Sequence, residues 1–158
     1  MYAGGVTEDY RHMQIGWTLI AIVVGVGLLE LTIVALSTVS TLALTLAGAL
    51  AAVFAVLLVM FASLTVAVDA RALRLWFGAG LLRREVTLGD VVAARLVRLP
   101  WFTGWGVRAV PHGWLYRVGG RDAVELELEN GRVVRVGSDE PMELLAAVTR
   151  ALGRKEGM

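Results

Sequence analysis

The chain has 158 residues, 57% of them hydrophobic and 18% charged, with a formal net charge of +1 and no cysteine. The nearly balanced charge and the lack of a basic run argue against a nucleic-acid-binding surface. Without cysteine there is no disulfide framework, no thiolate nucleophile and no cysteine-ligated metal, and the hydrophobic content is high for a soluble protein.

The first half of the chain is apolar, and residues 13–68 contain one ionisable side chain, Glu30. Residues 15–36 and 42–63 each supply about the 20 apolar residues that cross the hydrocarbon core of a bilayer. The connection between them is so short that two antiparallel helices are expected. We therefore predict a transmembrane helical hairpin over residues 15–63, preceded by an N-terminal cytoplasmic segment of residues 1–14.

Arginines near the ends of the two spans predict the orientation of the hairpin. Arg11 precedes the first span, Arg71 and Arg74 follow the second, and the connecting loop has none. Because positive residues are retained on the cytoplasmic side, both termini are expected in the cytoplasm, with the protein in the inner (plasma) membrane.

Glu30 lies in the part of the first span nearest the connecting loop, and two interpretations of it are open. It can tie the two helices together, near Thr45 and Gly48, or it can take part in ion or proton movement within an oligomeric transport or channel component. A ridge of small residues on the second helix permits close packing, within the hairpin or between copies: Ala47, Ala51 and Ala55.

After residue 63 the hydrophobic period changes from helical to twofold, which predicts β-strands. Seven strands are expected, at residues 65–68, 73–77, 82–87, 91–99, 114–118, 123–128 and 133–137. For the last pair, a three-residue loop with Gly131 in the left-handed region places Leu126 opposite Val134 and Glu125 opposite Arg135. We prefer this register because it keeps the charged residues together on the outer face.

The chain is expected to end in an amphipathic helix, with a short tail at residues 154–158. Ser138 or Asp139 can cap its start, and Pro141 is tolerated in its first turn. Its apolar stripe consists of Leu144, Leu145, Val148 and Leu152.

Seven strands followed by one helix, together with the segments PWFTGWGVR (100–108), GWLYRV (113–118) and SDEP (138–141), resemble the bacterial pleckstrin-homology-like domains of small membrane proteins. The resemblance covers the predicted domain at residues 64–153. It implies an α+β membrane protein in which a seven-stranded antiparallel β-barrel or sandwich is capped by the C-terminal helix. It further implies roles in binding, assembly and envelope response rather than catalysis, and we expect no cofactor.

The segment from residue 100 to residue 113 is the candidate binding loop, since tryptophan and arginine are frequent at binding hot spots. Three interpretations are open: a loop folded over one end of the barrel, aromatic rings seated at the lipid headgroups, or a partner-binding surface. His112 lacks the further ligands of a metal site, so no metal is predicted. The candidate residues are Trp101, Phe102, Trp105, Arg108, His112 and Trp114.

Lipid-binding eukaryotic relatives grip phosphoinositides through several basic residues in the loop between the first two strands, whereas residues 69–71 here offer one arginine beside an aspartate. Weaker contacts with anionic lipid are expected from four arginines: Arg71, Arg74, Arg83 and Arg84. We expect a membrane-anchored binding or assembly module, with other membrane proteins, further copies of itself and membrane lipids as partners. The alternatives are a channel component that uses Glu30 and a sensor of anionic lipid.

Overall fold

The computed structural model describes residues 9–36 and 40–156. In chain order the elements are β1 (Tyr10–Ile15), α1 (Trp17–Leu36), α2 (Thr41–Phe61), β2 (Ser63–Val68), β3 (Ala72–Phe77), β4 (Leu82–Thr87), β5 (Val91–Arg98), β6 (Gly106–Val110), β7 (Gly113–Arg117), β8 (Asp122–Leu128), β9 (Val133–Gly137) and α3 (Pro141–Glu156). Short 3₁₀ turns occupy Leu88–Asp90 and Trp101–Thr103. The predicted α+β arrangement of two long apolar helices, strands and a C-terminal helix is confirmed.

The two apolar segments form helices that are long and apolar enough to cross a membrane, and neither buries its apolar residues inside the protein. Their bounds lie within two residues of the predicted spans. Ser40 caps α2, since its Oγ accepts a hydrogen bond from the Ala43 N–H at 3.3 Å. The predicted connection at residues 37–41 lies partly outside the described residues.

Within the segment predicted at residues 1–14, the described residues from Tyr10 onward belong to a strand of the folded domain, Tyr10–Ile15. β1 pairs antiparallel with β2, from Tyr10 opposite Val68 to Ile15 opposite Ser63. The first sheet therefore has the order β1-β2-β3-β4. Burial, reinforced by the nearby carboxylate of Glu140, raises the pKa of Tyr10 to about 12, as expected for a ring packed into the domain.

The second sheet has the order β5-β8-β9-β7-β6 and contains a strand that the sequence did not predict. β6 lies inside the predicted loop at residues 100–113 and pairs with β7, so the described residues form nine strands where seven were expected. β7 and β9 are parallel, which corrects the wholly antiparallel arrangement. The predicted β8–β9 register is confirmed, with Leu126 opposite Val134 and Glu125 opposite Arg135.

The core lies between the two sheets and under α3. In the described part of the chain the sheets do not close into a barrel, because β4 and β6 remain edge strands without a hydrogen-bonded neighbour on their outer sides. α3 runs to Glu156, so residues 154–156 of the predicted tail are helical. The Ser138 Oγ accepts the Glu140 N–H at 3.0 Å just before this helix. The most buried α3 residues are Leu144, Ala147, Val148 and Ala151.

Candidate functional site

The end of the domain nearest the helices is termed here the hairpin end. β1 ends there at Ile15, β2 begins there at Ser63, and β3 runs back to it and turns at residues 78–81. Gly78 donates its N–H to the Ser63 carbonyl at 2.9 Å, and a Cβ on Gly78 would lie only 2.0 Å from the Val59 carbonyl oxygen. The β3–β4 turn therefore abuts the last turn of α2.

Two aromatic residues of the predicted binding loop are exposed near the hairpin end. Trp101 and Phe102 lie between β5 and β6, and their side chains are 78% and 70% exposed. Their ring centroids are 6.0 Å apart in an edge-to-face arrangement. Because so much of their apolar surface is uncovered, they do not plug the end of a barrel, and this interpretation of the loop is corrected for these two residues.

Trp105 faces the helices themselves. Together with Leu19, Leu57 and Phe61 it lines an open groove of about 360 Å³ at the foot of the hairpin. The next residue, Gly106, lies beside the Phe61 ring, which is 3.8 Å from the position of a Cβ on that glycine. The Trp105 side chain is therefore positioned against the apolar helices rather than inside the core of the domain.

Of the other three residues of the predicted site, Arg108 lines the same groove as Trp105, whereas His112 and Trp114 lie elsewhere. The guanidinium of Arg108 packs against Gly104, at 2.8 Å from the position of a Cβ there. His112 occupies the β6–β7 turn at a φ of 66°, roughly 17 Å along the strand from the hairpin end. Trp114 shares a face of the second sheet with Tyr116, toward the first sheet. The β6–β7 strand pair therefore separates His112 and Trp114 from the residues near the hairpin end, and the six predicted residues do not form one site.

The four predicted lipid-contact arginines are divided in the same way. Arg71 belongs to the β2–β3 turn, at the opposite end of β2 from the helices. Arg74 forms ion pairs with Asp69 at 3.0 Å and Glu85 at 3.1 Å, so its charge is neutralised within the domain. Only Arg83 and Arg84, on β4, follow the turn that abuts α2.

A cleft opens between the edge strands β4 and β6. Its volume is about 330 Å³, and its lining residues are apolar, aromatic or basic: Leu75, Phe77, Leu82, Arg83, Arg84, Val107, Trp114 and Tyr116. Sequence reasoning identified both arginines and Trp114, but it did not bring them together. No local sequence signal could predict that these residues are neighbours, because the cleft lies between edge strands of two different sheets, which are not hydrogen-bonded to each other.

Glu125 forms the most buried ion pairs of the described residues. The Arg95 Nε donates to Glu125 Oε1 at 2.7 Å and the Arg135 Nε donates to Oε2 at 2.5 Å, which leaves the Glu125 side chain 2% exposed. Burial alone would raise the pKa of Glu125, but the hydrogen bonds and charges of the two arginines outweigh it and lower the pKa below its ordinary value. The predicted Glu125–Arg135 pair is confirmed, whereas its burial beneath Arg95 was missed.

Two further buried polar residues had no sequence signal. Gln14 on β1 and Arg117 on β7 are each more than nine-tenths buried. Burial lowers the pKa of the Arg117 guanidinium, and the neighbouring charge of Arg121 lowers it further. The Arg117 Nε donates to the Gly119 carbonyl at 3.3 Å. Both side chains lie near the hairpin end, where Gln14 Oε1 and one terminal nitrogen of Arg117 are buried without a hydrogen-bond partner among the described residues.

Glu30 is half-buried on the stripe of α1 that α2 partly covers. The expected neighbour Thr45 is exposed, and its Oγ1 donates to the Thr41 carbonyl at 2.9 Å. Within the ridge of small residues only Ala47 is partly covered, while Ala51 and Ala55 are exposed. The ridge therefore does not serve mainly to pack the hairpin against itself.

Over residues 9–36 and 40–156, no three histidine, aspartate or glutamate side chains gather in a group that could hold a metal ion. No known protein family matches the chain, and no curated protein matches it either.

Proposed function

We propose that this protein is an integral membrane protein whose two-sheet domain is held at the bilayer surface as a binding and assembly module, without chemistry of its own. One observation carries the proposal: the helical hairpin is inserted between the neighbouring strands β1 and β2. A single residue joins each helix to its strand, Gly16 on one side and Ala62 on the other. The domain is thus fastened to the helices at two points.

The helices support the membrane part of the proposal. They have 20 and 21 residues, which at about 1.5 Å per residue gives the roughly 30 Å needed to cross the hydrocarbon core. Their side chains are apolar all round and largely uncovered, an arrangement that lipid stabilises and water does not. Because Arg11, Arg71 and Arg74 lie in the domain and both ends of the hairpin join it, we place the domain on the cytoplasmic side of the inner membrane.

Aromatic residues support close contact between the domain and the lipid headgroups. Trp17 begins α1, and Trp101, Phe102 and Trp105 lie near the same end of the domain. Tryptophan favours the membrane–water interface because its ring is apolar and its N–H is polar. This argument favours the interface interpretation of the loop. A domain held in this way meets neighbours in the same membrane more readily than soluble partners.

We further propose that the domain is a divergent pleckstrin-homology-like fold. A meander of antiparallel strands, a second sheet packed across it and a C-terminal helix under the core support this assignment. The added strands β1 and β6, the parallel β7–β9 pair and the open edge between β4 and β6 depart from the expected seven-stranded barrel. The proposed partners are other membrane proteins, further copies of this chain and lipids.

Quenching by brominated lipid tests the position of the domain. In proteoliposomes of the full chain, a variant that retains Trp105 as its only tryptophan should be quenched strongly by phosphatidylcholine brominated on its acyl chains. The matched variant whose only tryptophan is introduced by Asn130→Trp, in the exposed β8–β9 turn at the opposite end of the domain, should be quenched much less. Equal weak quenching of both would contradict apposition to the bilayer, and release of the chain by alkaline carbonate would contradict membrane insertion.

Photo-crosslinking in native membranes tests the binding role. A photoreactive amino acid at Trp101, which is exposed near the hairpin end, should form adducts with membrane proteins or with a second copy of the chain. The same group at Asn130, in the exposed β8–β9 turn, is the control. If neither position gives protein adducts, the chain is not an assembly module.

A further inference from the structure

The cleft between β4 and β6 combines an apolar wall with positive charge. Among its eight lining residues two are arginines and none is acidic. The apolar side chains that line it include Leu82, Val107 and Trp114, and Trp114 is half-exposed at its opening. A ligand that matches this surface has both an apolar part and an anionic part.

The register of β4 turns Arg84 toward this cleft, and the Arg84 side chain remains exposed at its edge. It lies opposite Leu75, which is fully buried between the sheets, so Arg84 shares the inner face of the first sheet. Its charge acts on the hydroxyl of Tyr116, whose pKa is raised by burial and lowered in part by Arg84. None of the ion pairs among the described residues involves Arg84. Among the described residues, β4 thus presents a guanidinium without an ion-pair partner at the edge of an apolar cleft.

The cleft adjoins the groove at the foot of the hairpin. Val107 lines both the cleft and the groove of Leu19, Leu57 and Phe61 at the foot of the hairpin. A row of aromatic rings runs in the same direction: the Phe61 and Phe77 centroids are 5.7 Å apart, and those of Phe77 and Tyr116 are 6.4 Å apart. The cleft and the groove therefore meet at an apolar boundary formed by Val107, beside the surface of α2.

We propose that this cleft binds an anionic phospholipid of the surrounding membrane, with the phosphate beside Arg84 and the first part of an acyl chain along Val107. Arg84 lies two residues, about 7 Å, beyond Leu82 along the strand, which suits the depth of a headgroup above the hydrocarbon. Arg83, whose Nε donates to the Gly80 carbonyl at 2.8 Å, adds positive charge at the mouth. The proposal rests on the proposed membrane insertion and adds a ligand class to it.

The positive charge of the cleft and its position next to the groove at the foot of the hairpin favour a lipid over a peptide strand. An inward-pointing charge on an edge strand can also serve only to prevent pairing with another chain. That role would require no particular ligand and no apolar groove beside the cleft. Preventing strand pairing would also not depend on the side chains of Trp114 and Val107.

Native mass spectrometry of the full chain in detergent tests the proposal, with dioleoyl phosphatidylglycerol and dioleoyl phosphatidylcholine as probes. The wild type should bind the anionic lipid more tightly than the zwitterionic one. Arg84→Gln should weaken phosphatidylglycerol binding about fivefold, the effect of one well-placed basic residue. Arg98→Gln is the matched control, because Arg98 is exposed on β5 outside the cleft, and it should leave the affinity unchanged.

Three results would overturn the proposal: equal affinity for both lipids, equal effects of the two arginine variants, or displacement of phosphatidylglycerol by inorganic phosphate, which would indicate a free-anion site. A second variant guards against a folding defect in Arg84→Gln. Trp114→Ala keeps both charges and should still weaken phosphatidylglycerol binding at least threefold, and unchanged binding would also reject the proposal. Carbonate extraction of the chain from membranes would reject the membrane assignment, whereas a null effect of Arg84→Gln in an inserted protein rejects only the lipid site.

Discussion

The Gly16 N–H donates a hydrogen bond to the Ala62 carbonyl at 2.7 Å, although the whole helical hairpin separates these two residues in the chain. A Cβ on Gly16 would lie 3.0 Å from the Val118 carbonyl oxygen, so the crossing point is also packed against the second sheet. The helical hairpin is therefore an insertion between two neighbouring strands of one β-sheet, and its two ends leave the domain side by side.

The adjacency of these ends predicts that the hairpin can be removed without unfolding the domain. Replacing residues 17–61 with a flexible loop of about three residues should join β1 to β2 as an ordinary β-hairpin. We expect a water-soluble protein that melts cooperatively, because the core of the domain contains no residue of α1 and only Phe61 of α2 packs against it. Circular dichroism with thermal melting measures this.

A matched variant that begins at Ser63 tests the role of β1. It retains β2 to β9 and α3 but loses the strand that covers β2, including the buried side chain of Gln14. We expect it to melt at a clearly lower temperature than the joined variant, or not to fold. Identical melting of the two proteins would show that β1 is dispensable to the domain.

Gly78→Ala should destabilise the full chain more than Gly131→Ala. Both glycines have positive φ, so each substitution costs about 1–2 kcal/mol in backbone strain. At Gly78 the added methyl group would also meet the Val59 carbonyl oxygen, whereas at Gly131 no atom lies within 4 Å. The clash should add about 1–3 kcal/mol. Denaturant melts in detergent measure the difference, and equal losses would contradict contact between the β3–β4 turn and α2.

Glu125→Gln should cost about 2 kcal/mol of unfolding free energy at neutral pH, because it weakens the charged hydrogen bonds with Arg95 and Arg135. The folded state lowers the pKa of Glu125, so its stabilisation is present above the ordinary pKa of 4.5 and is lost as the pH falls below that value toward the folded pKa. The gap between wild type and variant should therefore narrow in acid. Thermal melts across this pH range measure it, with Glu129→Gln in the exposed β8–β9 turn as the control.

Glu30→Gln should leave the melting temperature and the proton permeability of proteoliposomes unchanged. Glutamine keeps the volume of the side chain and its capacity for hydrogen bonds, and Glu30 is only half-buried between the helices. The measurement is the internal pH of vesicles that contain a pH-sensitive dye, under an imposed pH gradient. If the wild type conducts protons and the variant does not, the transport interpretation is correct and the binding-module interpretation is wrong.

The features that the sequence predicted correctly depend on neighbouring residues. The two apolar helices, the start of α3 near Pro141 and the pairing of Leu126 with Val134 follow from hydrophobic period, capping residues and loop length. Each of these signals acts within a few turns or across one short loop. For that reason no knowledge of the rest of the chain is needed to recognise them.

The strands β1 and β6 could not be predicted because their residues lack a clear apolar alternation. The side of β1 that faces the core carries Tyr10, His12 and Gln14, and His12 contacts Asp139 at 2.9 Å across the domain. β6 is a short edge strand whose apolar Val107 faces an open cleft. Both strands gain their stability from partners, β1 from β2 some fifty residues away in the chain and β6 from β7.

The sequence by itself determined that an apolar helical hairpin accompanies a small β-rich domain. Both follow from the local pattern of apolar residues, because that pattern decides which side chains must leave water. Only the tertiary structure decided which residues share a surface. It separated His112 from Trp105, neutralised Arg74 with Asp69 and Glu85, and brought Arg84 beside Tyr116. Such neighbours depend on how two sheets pack and where their edges stay open, and that is settled by the whole chain folding at once rather than by any one segment.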